Sequence, residues 1–485
     1  MNLWGSTGSG DEGMPLISKI YVWSLVLESL IFFQLETQAT MGVSLNPGRV
    51  LQLFVLLCVL SSGAKLFLIK SNRISSSTDG NFILFLIIAF IGVIYGFTSG
   101  AYQVPNRPLD LDWSMLSDTI NFPYVRPLVE YFIYFYYFIY FILMPRYFLN
   151  NEKAIKYFFR IFSAVFAASF MVGWGDIVMQ AAGTDLYLPR EVFSDRHVGM
   201  RFHGFAGEPR DAFVYLFFGL ALLHLRELVT GQKLSKLWIG GIIAAALMTQ
   251  SASGLIGVIF FTLLYGTTRF FNSFTLSKFI VTAIWGVTII LLFYVAVIMS
   301  PRIQAYLDVL ASAYETLLEQ KAVPPLLAVQ INNIFPIYQF VINIFELNWV
   351  PVLIGSGLGS SSSTNLILSE KFGLDIWGEG EVINPNSQLV RLVFETGLIG
   401  TTVFYWALIT PIKRLARPLG KSNVNQFVTL TLLVLGCCFA HRSTTIFIYL
   451  GIFVAVMASP FVRSSRVAES VFEPNSPIAS PPERM

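Results

Sequence analysis

RFHGFAGEPRDAF, residues 201–213, places two arginines, a histidine and a glutamate immediately ahead of a long apolar run. Arg190 and Arg196 stand a little upstream, so four arginines with Arg201 and Arg210, together with His203 and Glu208, gather at one place in the chain. Guanidinium groups are planar, permanently charged and able to grip phosphate oxygens in pairs, which suits them to a phosphate or diphosphate ligand. Pro209 fits the first turn of a helix, and the backbone N–H groups of that helix start would add to an anion-attracting field. The same side chains have a plainer use: they can snorkel to lipid headgroups or pair with Glu191, Asp195, Glu208 and Asp211. Taken singly, each arginine fits either use; Arg201 and Arg210 taken together favour ligand contact.

A second constellation is GSGLGSSSSTNLILSEKFGLDIWGEGEVINPNSQLVRLVFETGLIG, residues 355–400. Its glycines and serines suit backbone that approaches a ligand closely, although a glycine-rich loop alone is weak evidence and no Walker-type lysine accompanies it. Arg391 and Glu395 are four residues apart inside an apolar segment, where an unpaired charge costs at least about 2.5–3.5 kcal/mol. The spacing lets them pair with each other, and Arg126 with Glu130 repeats it. These are either ion pairs holding helices in register or charges facing a wet cavity; both uses turn them toward the interior. Arg442, in His441–Ser443, either anchors a hairpin at the headgroups or lines the same cavity. Glu28 and Asp176 are further acids in apolar surroundings whose partners the sequence does not name. No HExxH occurs and no DxD or Ser/His/Asp arrangement has supporting context, and Cys58, Cys437 and Cys438 have no metal-ligand spacing. Neither a metal nor another cofactor is expected.

The elements that must position these residues are membrane helices. Of 485 residues, 55% are hydrophobic and 13% charged, with mean hydropathy +0.65, too apolar for a soluble protein. The expected fold is all-α, a polytopic helical bundle. About twelve segments reach the roughly 20 apolar residues of a span, near 17–36, 49–69, 81–100, 125–148, 155–180, 211–228, 235–250, 251–271, 278–299, 388–411, 425–442 and 444–462. The basic residues after spans two, four, six, eight and ten all fall on one side, which makes both termini cytoplasmic. On the other side two connections are long, 181–210 and roughly 300–387, and loops of that length usually carry function. The expected organisation is a bundle over 1–299, a large helical outer loop over 300–387 with an amphipathic helix at 303–320, further spans over 388–463 and a disordered tail over 464–485. The polar N-terminus does not read as a cleaved signal. Net charge of +3 says little about partners; membrane lipids are expected and nucleic acid is not. No internal repeat is evident, which weighs against repeat-built transporters.

RFHGFAGEPRDAF before a span, then GSGLG, then NSQLVRLVFETGLIG opening a late span after a long outer loop resembles the O-antigen polymerase and O-antigen ligase superfamily. Members are metal-independent membrane glycosyltransferases of a GT-C-like class that act on undecaprenyl-diphosphate-linked glycans at the periplasmic face of the bacterial inner membrane. The resemblance implies that Arg201 and Arg210 hold the diphosphate of the donor; Arg190, Arg196, Arg391 and Arg442 are read from their types and places as further substrate-binding charge. It implies donor and acceptor lipid-linked glycans as partners, and possible contact with a chain-length regulator. In the ligases a histidine stands eleven residues before the glycine of the late helix; counting back from Gly397 reaches Asn386. Asparagine orients a hydroxyl but is no general base, so a polymerase joining repeat units is favoured over a ligase. Asn384, Asn386, Ser387 and Gln388 would then align the acceptor hydroxyl. His203, Glu208 and Glu381 are the candidate bases. A transporter or flippase for a lipid-linked oligosaccharide is the alternative from another class.

Overall fold

The computed structural model describes residues 14–28, 47–61, 73–103, 122, 124–149, 151–184, 201–206, 209–230, 232–250, 280, 287, 325–371, 385 and 387–416. Every regular element among them is helical, which agrees with the all-α expectation. The expected spans at 251–271, 425–442 and 444–462, the amphipathic helix at 303–320 and the tail lie outside the described residues.

Local chemistry accounts for several helix ends. Helix α1 covers Leu16–Glu28, α2 Pro47–Ser61 and α3 Arg73–Ser99. Helix α4, Arg126–Tyr137, has proline in its first turn and continues through a π-helical turn, Phe138–Leu143, into α5, Met144–Phe148. Helix α6, Glu152–Ala181, starts where Asn151 Oδ1 accepts the Ala154 N–H at 2.8 Å, a side-chain N-cap that meets one otherwise unpaired donor. Helix α7, Pro209–Thr230, places proline first, where its missing N–H costs nothing. Helix α8, Lys236–Met248, is capped by Ser235.

Downstream come α9, Pro325–Phe345, α10, Trp349–Ile354, and α11, Ser360–Lys371, all inside the stretch expected as an outer loop, and then α12, Gln388–Ala416. Helix α3 packs along α12, α1 on α2 and α6, and α7 on α8. Among the described residues two stretches, Asp79–Ser99 and Glu152–Ala181, are long and apolar enough to cross a membrane. The first leaves Ile83, Leu84, Ile87, Phe90, Ile91 and Ile94 exposed, a continuous apolar face that water would disfavour.

Polar groups in the interior are tied across the bundle. The π turn aims the Tyr140 carbonyl at α1, where Tyr21 Oη donates to it at 2.9 Å, and Tyr140 Oη lies 2.6 Å from Ser24 Oγ. Glu28, an acid with no partner evident in the sequence, is met by Arg49 Nε and Gln52 Nε2, each at 3.1 Å. Asp176 accepts from Gln180 one turn on.

The late helix is broken. Gly397 adopts φ 65° and ψ −175° within α12, a conformation essentially restricted to glycine. The break releases the carbonyls of Phe394 and Glu395 from their helical partners, and the N–H groups of Ser356 and Gly357 bind them at 3.0 Å each. A Cβ on Gly397 would lie 2.4 Å from the Leu353 carbonyl carbon, and one on Gly355 would lie 2.2 Å from the Glu395 oxygen. Backbone therefore meets backbone where GSGLG straps the break. Gly92 and Gly96 of α3, one turn apart, bring a third backbone against the strap: their Cβ positions fall 3.0 Å from the Ile354 oxygen and 2.6 Å from the Ser356 oxygen.

Candidate functional site

The charged pairs expected from spacing form one buried group. Arg391 Nε bonds Glu395 Oε2 at 3.1 Å, and Arg126 Nη2 stands 3.5 Å from Glu130 Oε1, each pair within its own helix. Arg391 Nη2 also lies 2.8 Å from Glu130 Oε1, which joins α12 to α4. All four residues are buried, Glu395 fully and Arg391 with 3% exposure, so their mutual charges act in a weakly screening medium. Formal charges cancel within the group. Ser361 Oγ, at the start of α11, donates to Glu395 Oε1 at 2.5 Å. Gln388 Nε2 reaches Tyr134 Oη at 3.4 Å, and the Ser387 N–H donates to Asn333 Oδ1 on α9 at 3.0 Å.

The strap closes one side of this group. A Cβ on Gly359 would touch the Arg126 side chain at 3.4 Å, and one on Gly357 would overlap the Tyr102 hydroxyl. Tyr102 is 1% exposed. Burial, and secondarily the Glu395 carboxylate, holds its hydroxyl far above the ordinary phenol range, so it stays neutral.

RFHGFA lies on other elements. Arg201 is buried and its Nε donates to the Thr249 carbonyl at 3.1 Å. That carbonyl belongs to the C-terminal end of α8, where carbonyls without helical partners attract cations. The Phe202 N–H donates to the Met248 oxygen at 2.9 Å, and the Phe205 N–H to Ser169 Oγ at 2.9 Å. His203 is 5% exposed. Residues 201–206 are thus wedged between α6 and the end of α8, with Phe202 against Gly173, whose Cβ would fall 2.4 Å from its ring.

Among the expected site residues, Ser387, Gln388 and Arg391 come together at the start of α12, and Arg201 and His203 share the wedge. Arg210 belongs to the first turn of α7. Arg190, Arg196, Glu208, Glu381, Asn384, Asn386 and Arg442 lie outside the described residues. Spacing did not single out Tyr134, although it stands one turn beyond Glu130, nor Ser361, whose role depends on where α11 begins. No family model, no curated protein and no solved structure matches this chain.

Proposed function

We propose that the chain is a membrane glycosyltransferase that polymerises lipid-diphosphate-linked oligosaccharide units, working at the outer face of a bundle of about twelve spans with both termini cytoplasmic. One observation carries most of its support: GSGLG and the first turns of the late helix, two of the stretches on which the resemblance rests, pack on each other around a buried group of two arginines and two glutamates. The burial of Arg201 and His203 just ahead of α7 adds to it, because α7 begins with Pro209 and Arg210.

In the reaction, a hydroxyl oxygen of the incoming unit attacks the anomeric carbon of the growing glycan. The bond from that carbon to the diphosphate breaks, and its electron pair leaves with the lipid diphosphate. Arg201 and Arg210 neutralise the departing charge, which is electrostatic stabilisation directed at the group that becomes more negative. Asn384, Asn386, Ser387 and Gln388 hold the nucleophile in line. The hydroxyl proton passes to His203, Glu208 or Glu381. Arg391 keeps its partners Glu130 and Glu395 throughout and fixes the start of α12.

Arg210→Ala is expected to abolish long-chain glycan in a complementation assay while the protein still inserts into membranes at normal abundance. Normal chain lengths in that variant would count decisively against the proposal. A second reading, transport of a lipid-linked oligosaccharide, draws on the break at Gly397, since discontinuous helices beside buried charge are a device of transporters. Reconstituted protein separates the two: transfer between lipids creates a glycosidic bond, and transport moves the lipid with no bond made.

A further inference from the structure

The hydrogen bonds of the charged group are unevenly shared. Arg391 and Arg126 both direct Nη2 at the same oxygen, Glu130 Oε1. Glu130 Oε2 is buried and has no hydrogen-bond partner among the described residues. Both oxygens of Glu395 are occupied, by Ser361 Oγ and Arg391 Nε. Gln388 gives its Nε2 to Tyr134, and its Oε1, in a side chain only 1% exposed, likewise has no partner among the described residues.

These two oxygens belong to one interface. Glu130 and Tyr134 are one turn apart on α4, and Gln388 and Arg391 are one turn apart on α12. The contacts Arg391–Glu130 and Gln388–Tyr134 are successive rungs between the two helices. Buried acceptors are rarely left without donors, so both positions call for a donor. With two arginines balanced by two glutamates, the group carries no net charge to select an ion. A diphosphate brings only acceptors and would meet these oxygens unfavourably. A sugar brings hydroxyl donors.

We propose that the α4–α12 interface is a carbohydrate subsite, in which hydroxyl groups of the acceptor glycan donate to Glu130 Oε2 and Gln388 Oε1; the acceptor assignment rests on the glycosyl-transfer reading above. Arg391 and Arg126 are positioning residues here, holding Glu130 by its other oxygen. The diphosphate of the donor is left to the arginines around Arg201 and Arg210, so the two ends of the reaction meet different chemistry.

The full chain in lipid nanodiscs is titrated with the methyl glycosides of glucose, galactose, mannose and N-acetylglucosamine, and binding is read by saturation-transfer NMR. At least one glycoside is expected to bind. Gln388→Leu removes one acceptor and should weaken that binding about two- to tenfold, the range for one lost neutral hydrogen bond. Tyr134→Phe, which frees the Gln388 amide and leaves Glu130 in place, should shift binding the same way by less. Absence of binding to the wild-type chain, or unchanged binding in both variants, overturns the subsite. A parallel ladder assay with synthetic lipid-diphosphate repeat units tells the two ideas apart. Glycoside binding that depends on Gln388, without any ladder, sinks the polymerase and keeps the subsite. A ladder whose dependence on acceptor concentration is unmoved by Gln388→Leu sinks the subsite and keeps the polymerase.

Discussion

Glu130 is the carboxylate on which two guanidinium groups converge, and the stability of the group depends on its charges staying balanced. Buried ion pairs add little over apolar substitutes, but removing one partner strands the others and costs about 3–5 kcal/mol. Arg391→Leu leaves Glu395 with only Ser361 among its described partners and is expected to lower the unfolding temperature of the detergent-solubilised protein sharply. Adding Glu395→Leu removes the stranded charge, while Arg126 and Glu130 still face each other at 3.5 Å. The double variant should regain most of the loss, a coupling that a double-mutant cycle measures directly. If the double variant is no more stable than Arg391→Leu alone, the charge-balance account is wrong. The four-residue spacings within each helix are visible in the sequence because helical neighbours are set by local geometry. The contact from Arg391 to Glu130 spans 261 positions and exists only because α3, the strap and α12 bring their backbones together. Nothing local encodes it, and the same holds for Arg49 beside Glu28.

The late helix shows what element-level pattern can and cannot predict. Its apolar run places a span at 388–411, and α12 does begin at Gln388. The break inside it escapes detection, since single glycines in an apolar helix are tolerated, Gly400 is no less a candidate than Gly397, and ETGLIG has no proline. Its cause lies elsewhere in the chain, in the strap that supplies the N–H groups of Ser356 and Gly357 to the freed carbonyls. Helices α9 to α11 fall in a stretch expected to be helical, but the place of α11 is hidden: SSSSTN has poor helix propensity, and α11 forms where packing buries those residues. Two glycine substitutions separate required from incidental glycines. Gly397→Ala forces a Cβ into the Leu353 backbone at a positive φ of 65°, and little monodisperse protein is expected on size exclusion. Gly240, within α8, has open space around its Cβ position. Gly240→Ala should match or slightly exceed wild-type stability, because alanine favours a helix interior by about 0.5–1 kcal/mol. Equal yields of both variants would show that the break is not part of the folded state.

At the scale of the whole molecule the question is how the helices lie relative to a bilayer. Composition and basic-residue distribution argue for many crossings; among the described residues two helices meet the length and apolarity of a span. Helix α6 gives the clearest test, since its 30 residues extend about 45 Å at 1.5 Å per residue, beyond the roughly 30 Å hydrocarbon core. Lys153, in its first turn, and Thr184, just past its last, are both exposed. The topology proposed above puts Lys153, with Arg146 and Lys156, in the cytoplasm, and Thr184 then begins the outer connection that leads to Arg201. With Cys58, Cys437 and Cys438 replaced by serine, Lys153→Cys and Thr184→Cys are introduced singly and exposed to a membrane-impermeant maleimide in intact spheroplasts. Thr184→Cys should react at once and Lys153→Cys only after the membrane is opened. The reverse order would put the arginines of RFHGFAGEPR on the cytoplasmic side, where the proposed periplasmic donor is absent. Reaction of both before lysis would show that α6 does not cross the membrane and would overturn the proposed topology.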